Sequence, residues 1–308
     1  MKRVWTGTAG WSYADWAGIV YPEPRGTGFH ALPYLARFID IVEINSTFYR
    51  PATAAMAQSW VRKVAPFSDF LFAVKIHQSF THQRGQASAD DAAAFLRTIQ
   101  PIIAARRLAA LLLQFPWSFA RTPANRDYVT TLFRMFAGQP LAVEIRHSSW
   151  NDDSFFDLLR ENNVAFCNID QPVIGKSIGP TAVATRPDFS YVRLHGRNAA
   201  NWFREGAGRD ARYDYLYSKD ELSGWIGRIK ELASSSDRVY VITNNHYRGQ
   251  ALANALQIKN MVSGETLEIP KDLLKQYPIL EEIVRKIRAG QLDLFGGEDD
   301  PSSVQGRG

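Results

Sequence analysis

The sequence predicts a single (β/α)8 barrel, because eight short apolar runs recur at near-even intervals along the 308 residues. Continuous runs rich in leucine and β-branched residues are typical of parallel strands that are buried on both faces. Segments with helical periodicity lie between most of the runs, which indicates βαβ connections, and the chain length suits one such barrel. The eight predicted strands are Val4–Ala9, Ile39–Ile44, Phe70–Ile76, Leu108–Phe115, Leu141–Ile145, Val164–Ile169, Tyr191–Leu194 and Val239–Thr243.

Helices are predicted after every strand but the sixth. The exception, Gln171–Asp188, contains three prolines and two glycines and has no helical period, so we expect a barrel with a missing helix between strands 6 and 7. We expect a barrel domain over residues 1–270, a C-terminal helix over 271–290 and a flexible, polar tail over 291–308. The predicted barrel helices are Leu32–Phe38, Ala54–Val64, Ser88–Ile103, Asn125–Phe136, Asp153–Asn162, Lys219–Ala233 and Gly249–Met261.

Composition excludes several classes of protein. With 45% hydrophobic and 22% charged residues the chain is ordinary for a globular protein, and its single cysteine, Cys167, excludes an internal disulfide or a cysteine-rich zinc site. The first residues lead directly into a strand and offer no secretory signal, and no apolar run approaches the roughly 18 residues of a membrane span. We therefore expect a cytoplasmic protein, and its net charge of +5 weakly favours an anionic ligand or nucleic acid.

Charged and polar residues gather where the predicted strands end, and this is the edge at which (β/α)8 barrels keep their active sites. Residues two apart on a strand share a face, and charges inside a barrel are costly unless they meet each other or a ligand. The pattern therefore predicts either an active site or an ion-pair network without chemistry at the barrel mouth. The pairs are Glu43 with Asn45, Lys75 with His77, Glu144 with Arg146, and Arg193 with His195.

The residue types suggest roles within such a site. Lys75, Arg146 and Arg193 suit the oxygens of a phosphate or carboxylate. Glu43 and Glu144 are candidates for a general acid and base, and His195 for a proton carrier. A divalent metal held by scattered carboxylates and imidazoles stays open, although no tight ligand motif supports it. We predict Glu43, Glu144, His195 and Lys75 as catalytic residues, and Asn45, Gln114, Arg146, His147, Arg193, Asn244 and Trp11 as substrate- or anion-binding residues.

Several segments resemble the YecE-like family, also called domain of unknown function 72, from Val4 to Met261. The resemblance implies a barrel similar to xylose-isomerase-like and apurinic-endonuclease-like barrels, but it brings no established reaction. The histidine and carboxylate set of a trinuclear zinc endonuclease is not evident. The matching segments are Gly7-Thr-Ala-Gly-Trp-Ser-Tyr13, Val42-Glu-Ile-Asn-Ser-Thr-Phe-Tyr49, Phe72-Ala-Val-Lys75, Gln114-Phe-Pro116, Val143-Glu-Ile-Arg-His147, Val192-Arg-Leu-His-Gly196 and Asn244-Asn245.

The leading functional hypothesis is an enzyme that acts on a phosphate-bearing substrate, such as DNA or a nucleotide, in repair. The arginine- and aromatic-rich loop Asn198–Tyr217 would then meet a nucleic-acid backbone. The alternatives are an isomerase or lyase for a sugar or sugar phosphate, and a non-catalytic module that binds an anion or nucleic acid. A small closed pocket under the Gln171–Asp188 loop, without a basic groove, would favour a sugar or sugar phosphate, whereas a cleft lined by arginines and wide enough for a duplex would favour DNA.

The tail carries a candidate partner site. Gln291-Leu-Asp-Leu-Phe295 resembles the pentapeptide with which bacterial proteins bind the sliding clamp, and it follows the last predicted helix. Leu292, Leu294 and Phe295 would fill an apolar pocket, and Gln291 would fix the register by hydrogen bonds. The alternative is that these apolar residues pack the terminal helix against the barrel.

We expect the full chain to bind a purified bacterial sliding clamp with micromolar affinity, because three apolar anchors and a hydrogen-bonding glutamine form a complete docking peptide. The double variant Leu292→Ala/Phe295→Ala should abolish this binding in surface plasmon resonance. Equal binding by both proteins, or none by the wild type, would contradict the clamp hypothesis.

Overall fold

The computed structural model describes residues 3–284 except 86, 205 and 207, and in it eight parallel strands close into a barrel. Each strand pairs with the next, and β8 pairs with β1 to close the ring. The predicted fold is confirmed, and each strand boundary lies within two residues of its predicted position. The strands are β1 Arg3–Ala9, β2 Ile41–Ile44, β3 Leu71–Lys75, β4 Leu108–Gln114, β5 Leu141–Glu144, β6 Ala165–Asp170, β7 Phe189–Leu194 and β8 Arg238–Thr243.

Helices follow the strands much as predicted. Ser88 and Ser218 each cap a helix through a reciprocal pair of bonds with an acidic residue three positions on, which fixes where those helices begin. The helices are α1 Ala31–Leu35, α2 Ser46–Tyr49, α3 Ala54–Lys63, α4 Ala89–Ala104, α5 Pro123–Met135, α6 Asp153–Glu161, α7 Ala199–Trp202, α8 Gly208–Arg212, α9 Lys219–Ser235, α10 Gln250–Ser263 and α11 Lys271–Gln276.

The missing helix between β6 and β7 is confirmed, and side chains replace its backbone hydrogen bonds. The Gln171 amide donates to the carbonyls of Arg146 and Ile178, and the Asn168 side-chain oxygen accepts from the backbone N–H of Val183. Buried polar backbone needs partners of this kind when no helix supplies them. The segment is therefore fixed against the barrel.

The predicted helix over residues 271–290 is not continuous in the part of it that the structure describes, residues 271–284. Helix α11 ends at Gln276, and a 3-10 helix, Pro278–Ile283, follows it. Proline disfavours a helical conformation in the residue before it, and Tyr277 is accordingly extended (φ −127°, ψ 79°). Residues 285–308, which include the clamp-like peptide Gln291–Phe295, lie outside the described residues.

Three buried tryptophans fix the segments that follow the strands. The indole N–H of Trp16 donates to the His246 carbonyl at 2.7 Å, that of Trp150 donates to the Phe119 carbonyl at 2.7 Å, and that of Trp225 donates to Asp170. A buried indole needs such a partner, and each bond joins two parts of the barrel mouth.

No helix in the described part of the chain is long and apolar enough to cross a membrane.

The contact between β1 and β2 leaves no room for a side chain at Gly7. A Cβ there would lie 1.6 Å from the Ile41 carbonyl oxygen, so Gly7→Ala should lower the free energy of unfolding by at least about 3 kcal/mol. Gly227→Ala, on the exposed face of α9 where nothing lies within 4 Å, should raise it by about 0.5–1 kcal/mol. Urea unfolding followed by circular dichroism measures both, and equal effects would contradict the packing described for Gly7.

Candidate active site

A cavity of about 430 Å³ opens at the carboxyl ends of the strands. Polar and cationic side chains come from the strand ends and aromatic ones come from the loops, but among the residues that the structure describes no aspartate or glutamate lines it. Such a cavity is large enough for a small molecule and favours a negatively charged one. Its lining is Tyr13, Asn45, Phe48, Tyr49, Lys75, His82, Gln114, Pro116, Trp117, Arg146, Arg193, Trp202, Phe203, Arg212, Tyr213, Asn244 and His246.

Two of the predicted pairs, Glu144 with Arg146 and Arg193 with His195, meet Glu43 beneath this cavity, whereas His77 caps a 3-10 helix through Ser79 and does not line it. Arg193 bridges the two carboxylates: its Nη2 lies 2.6 Å from Glu43 Oε1, and its Nη1 donates to Glu144 Oε2. Arg146 binds the other oxygen of Glu144 through Nε at 2.8 Å, and the Tyr191 hydroxyl donates to Glu43 at 2.9 Å. Both carboxylates are fully buried. The interior of the barrel mouth therefore contains a buried ion-pair network.

This geometry does not favour Glu43 and Glu144 as an acid and base that touch substrate, because neither side chain lines the cavity. Burial alone would raise the pKa of Glu144, but Arg193, His195 and Arg146 outweigh it and hold that pKa well below its usual range. Glu144 is thus a fixed negative charge. We assign both carboxylates the role of positioning the arginines.

His195 is likewise buried beneath the cavity rather than exposed to it. Burial lowers its pKa to about 3, so the ring is neutral at physiological pH. The Asn244 amide lies 2.9 Å from its Nδ1, which leaves Nε2 to carry the hydrogen and face Glu144 Oε1 at 3.3 Å. His195 therefore links Asn244, which does line the cavity, to the ion-pair network, and the role of proton carrier is not favoured.

Lys75 is the predicted catalytic residue that does reach the cavity. Its Nζ donates to Gln114 Oε1 at 2.7 Å and lies 3.8 Å from the centre of the Phe48 ring. Burial, and after it the charge of Arg193, lower the pKa of Lys75 to about 7. Since the two arginines below are matched by two carboxylates, a proton on Lys75 would be an unmatched charge. The site therefore disfavours the protonated form of Lys75.

Two residues that line the cavity each have a buried polar atom without a protein partner among the described residues: Arg193 Nε and Asn45 Oδ1. A buried donor or acceptor without a partner costs about 1–3 kcal/mol, so such atoms are usually paired in the functional state. A donor and an acceptor in residues beside one cavity therefore mark it as a candidate ligand site.

The aromatic walls come from loops. Tyr13, after β1, stacks on His246, after β8, with ring centres 4.4 Å apart. From the loop 198–217, Trp202 lies 5.7 Å from the Arg146 guanidinium, and Arg212 and Tyr213 reach the rim. This loop, which the sequence analysis assigned to a nucleic-acid backbone, thus contributes part of the cavity wall.

The structure separates some predicted residues from the cavity and adds others. Trp11 packs against Trp60, and His147 accepts a hydrogen bond from the Ser149 backbone as the cap of a 3-10 helix, so neither lines the cavity. His82 lines the cavity although it was not among the predicted site residues, and burial followed by the charges of Lys75 and Arg146 lowers its pKa to about 4. No three histidine, cysteine or acidic side chains are placed to hold a metal ion within the described ranges.

Eight parallel strands closed into a ring with flanking helices define this protein as a (β/α)8 barrel, and the cation-lined cavity at the carboxyl edge is its candidate site. The family described as "Protein of unknown function DUF72" matches residues 5–277, and the chain belongs to this family.

The alignments with individual relatives cover most of this chain and nearly all of each relative. The chain is 30% identical to the UPF0759 protein YunF of Bacillus subtilis over 275 residues, which is 95% of that protein. Crystal structures of DUF72 family proteins match as well: one from Thermotoga maritima (35% identity, TM-score 0.74, 84% of this chain and 99% of that one) and one from Enterococcus faecalis (25%, 0.74, 87% and 98%).

Gln114 places a neutral amide next to the Lys75 amine, where a carboxylate would supply a counter-charge. Gln114→Glu places a carboxylate next to the amine and should raise the pKa of Lys75 from about 7 toward the ordinary value of about 10.4, whereas Gln114→Met should leave it low. The measurement is an NMR titration of ¹³C-dimethylated lysines, with Lys75→Met to assign the resonance. If Lys75 in the wild type titrates with a midpoint near that of the surface lysines, this description of the site is wrong.

Proposed function

We propose that the protein is an enzyme that acts on a small phosphate-bearing substrate, with Lys75 as its catalytic group. The observation that carries the proposal is the placement of the Lys75 amine, against the Gln114 amide and the Phe48 ring, in a cavity that is lined by arginines and by no described carboxylate. Burial lowers the pKa of this amine to about 7. Arginines bind phosphate oxygens through paired hydrogen bonds. An amine with a pKa near the working pH is suited to move a proton or to attack an electrophile.

The size and walls of the cavity support a sugar phosphate or a single nucleotide as substrate. A volume of about 430 Å³ suits one such molecule, and the rings of Phe48, Trp117 and Trp202 offer faces against which a sugar or base packs. Trp202, Phe203, Arg212 and Tyr213 of the segment 198–217 line this cavity, whereas no residue of Gln171–Asp188 does. The volume of the cavity supports the isomerase or lyase alternative over a nuclease that acts on intact double-stranded DNA.

Each side chain in or beneath the cavity has a role in this proposal. Arg146 and Arg212 hold the phosphate. Asn45 and Asn244 orient the rest of the substrate, and Gln114 holds the Lys75 amine in place through the 2.7 Å hydrogen bond. Glu43, Glu144 and His195 fix the arginines from beneath. Preorganised charges of this kind stabilise negative charge that develops in a transition state.

The test uses ribose 5-phosphate as a probe, with isothermal titration calorimetry for binding and proton NMR in D2O for turnover. We expect the phosphorylated sugar to bind and ribose not to, and Arg212→Ala to weaken binding about three- to tenfold because a charge-assisted contact is lost. Arg97→Ala, on the exposed face of α4, is the charge-matched control and should have no effect.

For each phosphorylated sugar or nucleotide that binds, turnover or exchange of a carbon-bound hydrogen should fall at least about a hundredfold in Lys75→Met. Binding without turnover across sugar phosphates and nucleotides would favour the non-catalytic binding module. Equal binding of ribose and ribose 5-phosphate would contradict the anion site itself.

A link to DNA metabolism is a separate proposal that the tail supports. If Gln291–Phe295 docks on a sliding clamp, the enzyme would be brought to DNA, and its substrate would be a phosphorylated sugar or nucleotide that arises there. The clamp-binding measurement described above tests this independently of the cavity.

A further inference from the structure

The surroundings of Lys75 fit a nucleophile. In the described part of the chain no carboxylate lies within salt-bridge distance of its Nζ; the amine instead contacts the Gln114 amide and the Phe48 ring. A lysine that is desolvated beside other cations keeps its lone pair available at neutral pH, and such lysines form covalent imines with carbonyl compounds. A lysine that served only as a phosphate ligand would gain nothing from losing its charge.

We propose that Lys75 forms an imine with the carbonyl carbon of the substrate, which makes the substrate class an aldehyde or ketone that carries a phosphate group. This inference rests on the proposed function, because the arginines of the same cavity would hold the phosphate. The inference adds to that function the electrophilic group of the substrate, a carbonyl, and a covalent intermediate on Lys75.

The step balances without an oxidant or reductant. The Nζ lone pair attacks the carbonyl carbon, a C–N bond forms, and the carbonyl π electrons move to oxygen. That oxygen takes up protons and leaves as water, so that the two amine hydrogens are lost and a C=N bond remains. When the imine is protonated, its positive charge is matched by the phosphate of the same substrate.

Arg193 supplies a donor for this step. Its Nη1 and Nη2 are bound to Glu144 and Glu43, but its Nε–H has no partner among the described residues, and the side chain lines the cavity beside Lys75. That hydrogen is available to the negative charge that develops on the carbonyl oxygen. A preorganised donor in a site shielded from water stabilises such charge strongly.

The experiment is reductive trapping of the full chain with sodium cyanoborohydride and two probes, dihydroxyacetone phosphate as a ketone and 2-deoxyribose 5-phosphate as an aldehyde. We expect one adduct per chain with at least one probe, located by mass spectrometry on Lys75, so that trypsin no longer cleaves after this residue. Unphosphorylated dihydroxyacetone and 2-deoxyribose should give at least tenfold less adduct.

Two variants control for surface modification and for folding. Lys75→Met should lower adduct formation at least tenfold, while Lys230→Met, at an exposed position on α9, should leave it unchanged. Peptide mapping of the wild type locates the adduct even if Lys75→Met does not fold.

The outcomes separate the two proposals. Adducts spread evenly over surface lysines, or an equal yield in Lys75→Met, would overturn the imine. If calorimetry shows that both probes bind through their phosphate and neither is trapped, the imine is also overturned, but the phosphate-binding enzyme stands. If no phosphorylated sugar and no nucleotide binds, both proposals fail.

Discussion

The buried guanidinium of Arg193 is the constraint on which the rest of the site depends. It lies at the end of β7 between carboxylates from β2 and β5, and both of those carboxylates are fully buried. Removing one member of a buried ion pair leaves an uncompensated charge and costs about 3–5 kcal/mol. The ends of three strands are thus held in one arrangement, and the charges are matched within the barrel. Any further positive charge, such as a proton on Lys75, has no counter-charge until an anion binds.

The fold separates the electrostatics of the site from its shape. Strands carry the charged groups, where alternation across the sheet directs them inward, and packing leaves them little freedom. Loops carry the rings of Tyr13, Trp117 and Trp202, and buried indoles such as that of Trp16 fix the loop ends by hydrogen bonds. The reactive groups are therefore rigid, while the walls that select a substrate lie on segments that tolerate substitution.

The sequence was sufficient for the barrel, because apolar runs and helix caps are local signals. It was also sufficient to predict that Glu43, Glu144 and Arg193 meet, since all three end strands of one sheet. The sequence could not predict how deep in the barrel each strand-end side chain lies. Lys75 lies in the cavity and Glu144 lies one layer below it, and this difference depends on the stagger of neighbouring strands. His82 and His246 lie in loops without periodicity, and only tertiary contacts bring them to the cavity.

The stack of Tyr13 on His246 has a consequence for biosynthesis. These rings belong to the loops after the first and the last strand, so the wall of the cavity closes only when β8 joins β1. A product truncated before β8 carries Arg146, Arg193 and Arg212 but not a finished pocket. A ligand of this cavity would therefore stabilise only a polypeptide that extends through β8.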